Sequence, residues 1–95
     1  MARRRYLIGY DIANEKRLRQ VIKIMEAHGT RLQYSVFLCD LTGRELVDWR
    51  VQILDIVELS EDSVITIDLG LTDGAAPVRV LGKPRALPTS GAVVV

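Results

Sequence analysis

The stretch Tyr6-Leu7-Ile8-Gly9-Tyr10-Asp11 constrains this chain more than any other. Tyr6, Ile8 and Tyr10 alternate with Leu7, Gly9 and Asp11, so an extended segment over residues 3–11 has two largely apolar faces. A strand of that kind belongs in the middle of a sheet, covered on both sides. A helix must follow at once. Asn14 is a candidate cap, and Leu18, Val21, Ile22 and Met25 recur at i, i+3, i+4, i+7, with Ile24 at the edge of the stripe. Lys16, Arg17, Arg19, Gln20 and Lys23 fall on the outer side, and Gly29 stands at a fitting C′ position after His28.

The rest of the chain repeats that alternation of periods. Residues 31–39 read as extended, with Leu32, Tyr34, Val36 and Leu38 along one face. This is one bent strand or two short ones broken near Tyr34-Ser35. Thr42-Gly43-Arg44-Glu45 has the spacing of a capping box. It opens a second helix, whose stripe is Leu46, Trp49, Ile53, Ile56 and Val57, interrupted by Arg50. An acidic loop, Glu58–Asp62, leads to a strand over Ser63–Leu69. Asp73-Gly74 signals a turn, and a last short strand falls near Val78–Leu81. Pro84 and Pro88 then break regular structure. The order β-α-β(β)-α-β-β, with short βαβ units, describes an α+β, ferredoxin-like β-α-β-β-α-β sandwich with an extra C-terminal strand. We divide the chain into one domain, residues 1–83, and a tail, 84–95, that is disordered or paired with a partner.

Size and composition narrow the assembly. A chain of 95 residues makes one domain and buries only about 60–65% of its unfolded surface. Its apolar share of 48% is generous for that size, which points to a buried subunit interface. The net charge of +1 conceals an asymmetry: residues 1–40 hold eight basic groups against four acids, and residues 41–95 hold five against eight. A basic front half offers phosphates a landing surface, although a solvated face has the same composition. Cys39 is the only cysteine, which excludes a disulfide framework and a cysteine zinc site and fits a reducing cytoplasm. The apolar run behind Arg3–Arg5 lasts five residues, too short for a signal peptide or a membrane span.

Few residues are placed to carry chemistry. Asp11 either caps the following turn and pairs with an arginine, or binds Mg²⁺, which uses one or two protein carboxylates and fills its octahedron with water and phosphate oxygens. One carboxylate per chain is a thin basis for catalysis, but a two-fold dimer whose first strands approach the axis would set Asp11 and its symmetry mate at one shared site. Arg17, Arg19 and Arg31 carry the planar fork that suits phosphate, though helix-surface arginines are most often solvated. Tyr10, Tyr34 and Phe37 offer rings for base stacking or, within apolar strands, for the core. Ser35 could bring a hydroxyl or carbonyl near a metal. His28 reads as surface, Cys39 as a small core residue, and Trp49 as core or dimer contact. The sequence has no phosphate-binding glycine loop and no histidine metal motif.

Taken together, Tyr6–Ile12 (YLIGYDI), Asn14–Arg19 (NEKRLR), Gly29 and Arg31–Leu41 (RLQYSVFLCDL) resemble the CRISPR-associated small nuclease family, the non-integrase member of the pair that acquires new spacers. The resemblance covers about residues 5–69. It implies a ferredoxin-like homodimer whose last strand often crosses to the partner's sheet. It also implies a Mg²⁺-dependent endonuclease (Mn²⁺ being the alternative ion) acting on single-stranded RNA or double-stranded DNA, in a complex where the dimer bridges the integrase and holds duplex DNA. On that basis Asp11 is the catalytic and metal-binding residue, supplied by both protomers. Arg31 opens the second motif and Phe37 is its aromatic, while Arg17 and Arg19 are the helix-one arginines for nucleic acid. Tyr10 and Ser35 support the site. Two other readings stand beside this one: a catalytically idle dimeric scaffold for duplex DNA and the integrase, and a toxin-like ribonuclease of the same fold.

Overall fold

The computed structural model describes residues 2–83 and the backbone of 92–94. The elements follow in the order β1 (Arg4–Asp11), α1 (Glu15–His28), β2 (Thr30–Gln33), β3 (Val36–Leu41), α2 (Gly43–Ile56), β4 (Ser63–Leu71), β5 (Val78–Val80) and β6 (Ala92–Val94). The first four strands form one antiparallel sheet ordered β2-β3-β1-β4, so the Tyr6–Asp11 strand is central, as its composition requires. With α1 and α2 packed on one face, this is the ferredoxin-like sandwich.

The stretch 31–39 resolves into two strands, β2 and β3, joined by a turn at Tyr34-Ser35. β1 pairs with β3 from Arg4 opposite Leu41 to Gly9 opposite Val36, and with β4 from Tyr6 opposite Asp68 to Asp11 opposite Ser63. β4 runs to Leu71, two residues beyond its expected end, and a bulge near Arg4–Tyr6 absorbs the mismatch. β5 and β6 pair in parallel as a separate ribbon. Thus Ala92–Val94 pair within the chain, whereas residues 84–91, with Pro84 and Pro88, and Val95 lie outside the described residues.

Local chemistry explains the helix ends. The Asn14 side chain accepts from the Arg17 amide, and Thr42 and Glu45 form the full capping box. Gly29 is glycine for a reason the sequence did not suggest. Its φ of −163° is extended, but a Cβ there would lie 2.4 Å from Cys39 Sγ and 2.5 Å from the Leu38 carbonyl oxygen. Close approach of the helix end to β3, not a left-handed turn, excludes a side chain.

The core lies between the helices and one sheet face. Tyr6, Ile8 and Tyr10 of β1 and Phe37, Cys39 and Leu41 of β3 meet Val21 and Met25 of α1 and Trp49 and Ile53 of α2. Trp49 Nε1 points at Met25 Sδ, 3.2 Å away, which places that tryptophan in the core. Among the described residues no helix covers the other sheet face. There Ile65 and Ile67, opposite Gly9 and Leu7, are 58% and 46% exposed. Arg5 and Asp40 face each other across β1 and β3 there in a bidentate pair at 2.9 and 3.0 Å.

Candidate metal and nucleic-acid site

Asp11 is the last residue of β1, and the pleat sends its side chain to the helix-free face shared with Leu7 and Gly9. Its carboxylate is exposed and has no ion pair or side-chain hydrogen bond among the described residues. It borders a shallow cavity of about 290 Å³ lined by Gly9, Tyr10, Asp11, Ser35, Val36, Ser63 and Ile65. A second depression, on the other side, is lined by Ile12, Leu18 and Tyr34 along with Tyr10, Asp11 and Ser35.

Two hydrogen bonds from Tyr10 shape the rim. Its phenol donates to the Tyr34 carbonyl and its backbone amide to the Ser35 carbonyl, both at 3.1 Å. The turn between β2 and β3 is thereby fastened to the strand that ends in Asp11. The Tyr10 ring is buried, 6.3 Å from the fully buried Phe37 ring. Both rings therefore lie in the core and are not available for base stacking; Tyr34, exposed in the turn, is.

The three arginines separate. Arg31, in β2, lies over the rings of Phe37 and Tyr34 at 5.3 and 5.7 Å, a cation–π arrangement. Its Nε and Nη2 are buried without a hydrogen-bond partner among the described residues, a costly state that an acceptor such as phosphate would relieve. Arg19 is exposed on α1. Arg17 sits at the polar side of the helix, as its spacing requires, but it is turned into the molecule. Its Nε and Nη2 grip the Asp62 carboxylate at 2.8 and 3.1 Å, with Glu61 at 3.6 Å.

Asp62 is the residue that sequence reasoning missed. By composition it is one more acid in the loop Glu58–Asp62, yet its side chain is fully buried. Besides the Arg17 fork it accepts from the Ala13 amide at 2.9 Å and the Glu58 amide at 2.8 Å. These donors, Arg17 first, hold its carboxyl well below the usual carboxylate range. An acid directly before a strand, in a chain with an arginine one turn into a helix, was the only signal.

The remaining candidates are structural. Burial, with Asp40 beside it, pushes the Cys39 thiol up to about 12, so no thiolate nucleophile exists near neutrality. His28 Nδ1 donates to the Ile24 carbonyl at 2.7 Å. Among the described residues no three His, Cys, Asp or Glu side chains gather into a metal cage. Asp11, a hard oxygen donor free of any other partner, fits a Mg²⁺ site of the sparse kind that one or two carboxylates and waters complete.

Comparison with known proteins gives these residues a context. Residues 4–73 match the model of the CRISPR associated protein Cas2 family. A CRISPR-associated endoribonuclease Cas2 of Geobacter sulfurreducens is 38% identical over 79 residues, covering 82% of this chain and 83% of that protein. A CRISPR-associated endonuclease Cas2 of Thermus thermophilus is 33% identical over 82 residues, covering 86% of each. Among solved structures, a hypothetical protein of Thermus thermophilus superposes with a TM-score of 0.77 at 30% identity, covering 86% of this chain and 94% of that one. The Cas2 of Streptococcus pyogenes does so with a TM-score of 0.62 at 35% identity, covering 66% and 82%.

Proposed function

Because the chain belongs to the CRISPR-associated Cas2 family, we propose that it is an endonuclease of CRISPR adaptation that hydrolyses phosphodiester bonds at Asp11. The observation that carries this reading is the uncommitted Asp11 carboxylate, exposed on an apolar, helix-free sheet face. A homodimer formed on that face covers Ile65 and Ile67 and brings two Asp11 side chains toward one axis, completing a site that one chain leaves at a single acid. The substrate is single-stranded RNA, double-stranded DNA or both, and the working partner is the integrase. No helix among the described residues is long and apolar enough to cross a membrane; the proposed location is the cytoplasm.

In this mechanism Asp11 of each protomer would hold Mg²⁺, or Mn²⁺ in its place. When bound, the ion supplies positive charge at the scissile phosphate and acidifies water. The chain's own residues do the positioning. Arg31, with its unpartnered Nε and Nη2 already desolvated over two rings, receives phosphate oxygens without having to break an ion pair. Arg19 adds a solvated charge that attracts the backbone. Tyr10 and Ser35 keep the β2–β3 turn, and with it Arg31, against the strand end that carries Asp11.

A second reading, an idle dimeric scaffold that holds duplex DNA for the integrase, is favoured by one observation: among the described residues Asp11 belongs to no cluster of three or more His, Cys, Asp or Glu side chains. Asp11→Asn decides between them. Loss of both cleavage and spacer acquisition supports the nuclease. Lost cleavage with intact acquisition makes the scaffold the working role, and unchanged cleavage by the purified variant removes Asp11 from the reaction.

A further inference from the structure

Arg17 and Asp62 together have an arrangement that neither phosphate binding nor loop solvation explains. Asp62 is the residue immediately before Ser63, and Ser63 lies directly across the sheet from Asp11. In the connection between β1 and α1, Asp62 accepts from the amide of Ala13, two residues beyond Asp11. One buried carboxylate therefore ties the segment that leaves Asp11 to the loop that leads into the strand across from it. Each oxygen is used twice: Oδ1 takes Ala13 N–H and Arg17 Nη2, and Oδ2 takes Arg17 Nε and Glu58 N–H. The acceptors are saturated and the geometry is fixed from three directions.

The same bonds dispose of Arg17 as a phosphate ligand. Two of its three nitrogens are spent on Asp62. A bidentate grip on phosphate would have to break that pair and strand a desolvated carboxylate, the costly half of any buried ion-pair cleavage. Arg31 faces no such cost.

We propose that Asp62 is the positioning residue of the Asp11 site, with Arg17 as the brace that holds it, and that Arg17 acts on cleavage through Asp62 and not through nucleic acid. This rests on the nuclease reading above. Losing a partner that orients a metal ligand typically costs about 10–100-fold in metal affinity or activity, and that is the size expected here.

The test compares Asp62→Asn, Arg17→Ala and the double variant with the wild-type chain. Three readouts are taken: kcat and KM for cleavage across Mg²⁺ concentrations, direct Mn²⁺ binding by electron paramagnetic resonance, and the salt dependence of duplex binding. In every variant kcat should fall and half-saturating metal rise by about 10–100-fold, with KM for nucleic acid and the salt slope unchanged. The double variant should be no worse than the worse single one, because the two residues act as one unit. A salt slope reduced by about one in Arg17→Ala, with wild-type metal binding in Asp62→Asn, would overturn the proposal.

Amide hydrogen exchange over Tyr10–Ala13 supplies an arm that needs no cleavage. Faster exchange there in Asp62→Asn or Arg17→Ala supports the brace, and wild-type exchange in both refutes it. If the wild-type chain proves inactive, the nuclease reading falls, and exchange still decides whether the pair positions Asp11.

Discussion

The two faces of the central sheet are built from the same strands and have opposite fates. On the helix side, Ile8 and Phe37 are fully buried and meet Val21 and Met25. On the other side, one residue along each strand, Leu7 and Gly9 look out beside Ile65 and Ile67, and Asp11 ends the row. A period of two assigns each residue to one face or the other with no intermediate. The first face is finished by the chain itself. Among the described residues the second is covered only in part, with Arg5 and Leu38 buried but Ile65 and Ile67 open, and it is the one that carries the candidate chemistry. The contrast teaches that stability and function are largely segregated by parity along β1: substitutions at Tyr6 and Ile8 should act on folding, those at Leu7, Gly9 and Asp11 on assembly and activity, and those at Tyr10, which also holds the β2–β3 turn, on both.

The sharpest way to break this contrast is Asp11→Asn. Removing a ligand charge forfeits several kcal/mol of transition-state stabilisation, so cleavage should drop by about 10³-fold. The side chain is exposed and unpartnered, so stability should move by no more than about 0.5 kcal/mol. A cleavage assay beside a thermal melt checks both. A melting temperature that collapsed with activity would place Asp11 in the fold and not in a site.

Ile67→Glu tests the open face itself. If a second copy covers it, the variant puts a charge into an apolar interface, which costs about 3–5 kcal/mol when uncompensated. Light scattering should then show the mass fall from twice 10.6 kDa to 10.6 kDa. Cleavage should fall with it, since the shared site needs both protomers. A wild-type chain already monomeric at micromolar concentration would remove the shared site altogether.

Gly29→Ala probes the closed face. Its new Cβ must displace Cys39 Sγ or the Leu38 carbonyl, and overpacking of this kind costs about 1–3 kcal/mol. For a domain of this size each kcal/mol lowers the melting temperature by about 4–8 °C. Cleavage per folded molecule should be unchanged, the inverse of Asp11→Asn.

How legible all this was in the sequence depended on range. Element order followed from periodicity, because Tyr6–Tyr10 and the Leu18–Met25 stripe declare their faces within a few residues. The Thr42–Glu45 capping box was legible for the same reason. The break at Tyr34-Ser35 was legible only as one of two alternatives, since no glycine or proline marks it and the turn is held by Tyr10, 24 residues away. Gly29 was read as a helix-ending glycine because the Cys39 contact that requires it lies on another element. Asp11 stood out by position, but composition alone left it a cap or a pair; the resemblance gave it a role. Arg17 looked solvated because the helical wheel places it outside, and only the folded chain brings Asp62, 45 residues on, to that spot.

Asp62 sits where the two faces meet, and acid should expose its share of stability. Its carboxyl is held well below the ordinary value by Arg17 and two backbone amides. A depressed native value means that the stabilisation is present in full above the unfolded value of about 3.9 and is lost as pH falls below it. Glu45, Glu58 and Asp68 are lowered too, so the wild-type chain should lose stability in acid through several groups at once. The share due to Asp62 is the difference between two curves. Denaturant melts of wild type and Asp62→Asn should be furthest apart at pH 6 and converge toward pH 3. Parallel curves over that range would mean that the carboxylate is protonated alike in the folded and unfolded chain, and that it braces nothing.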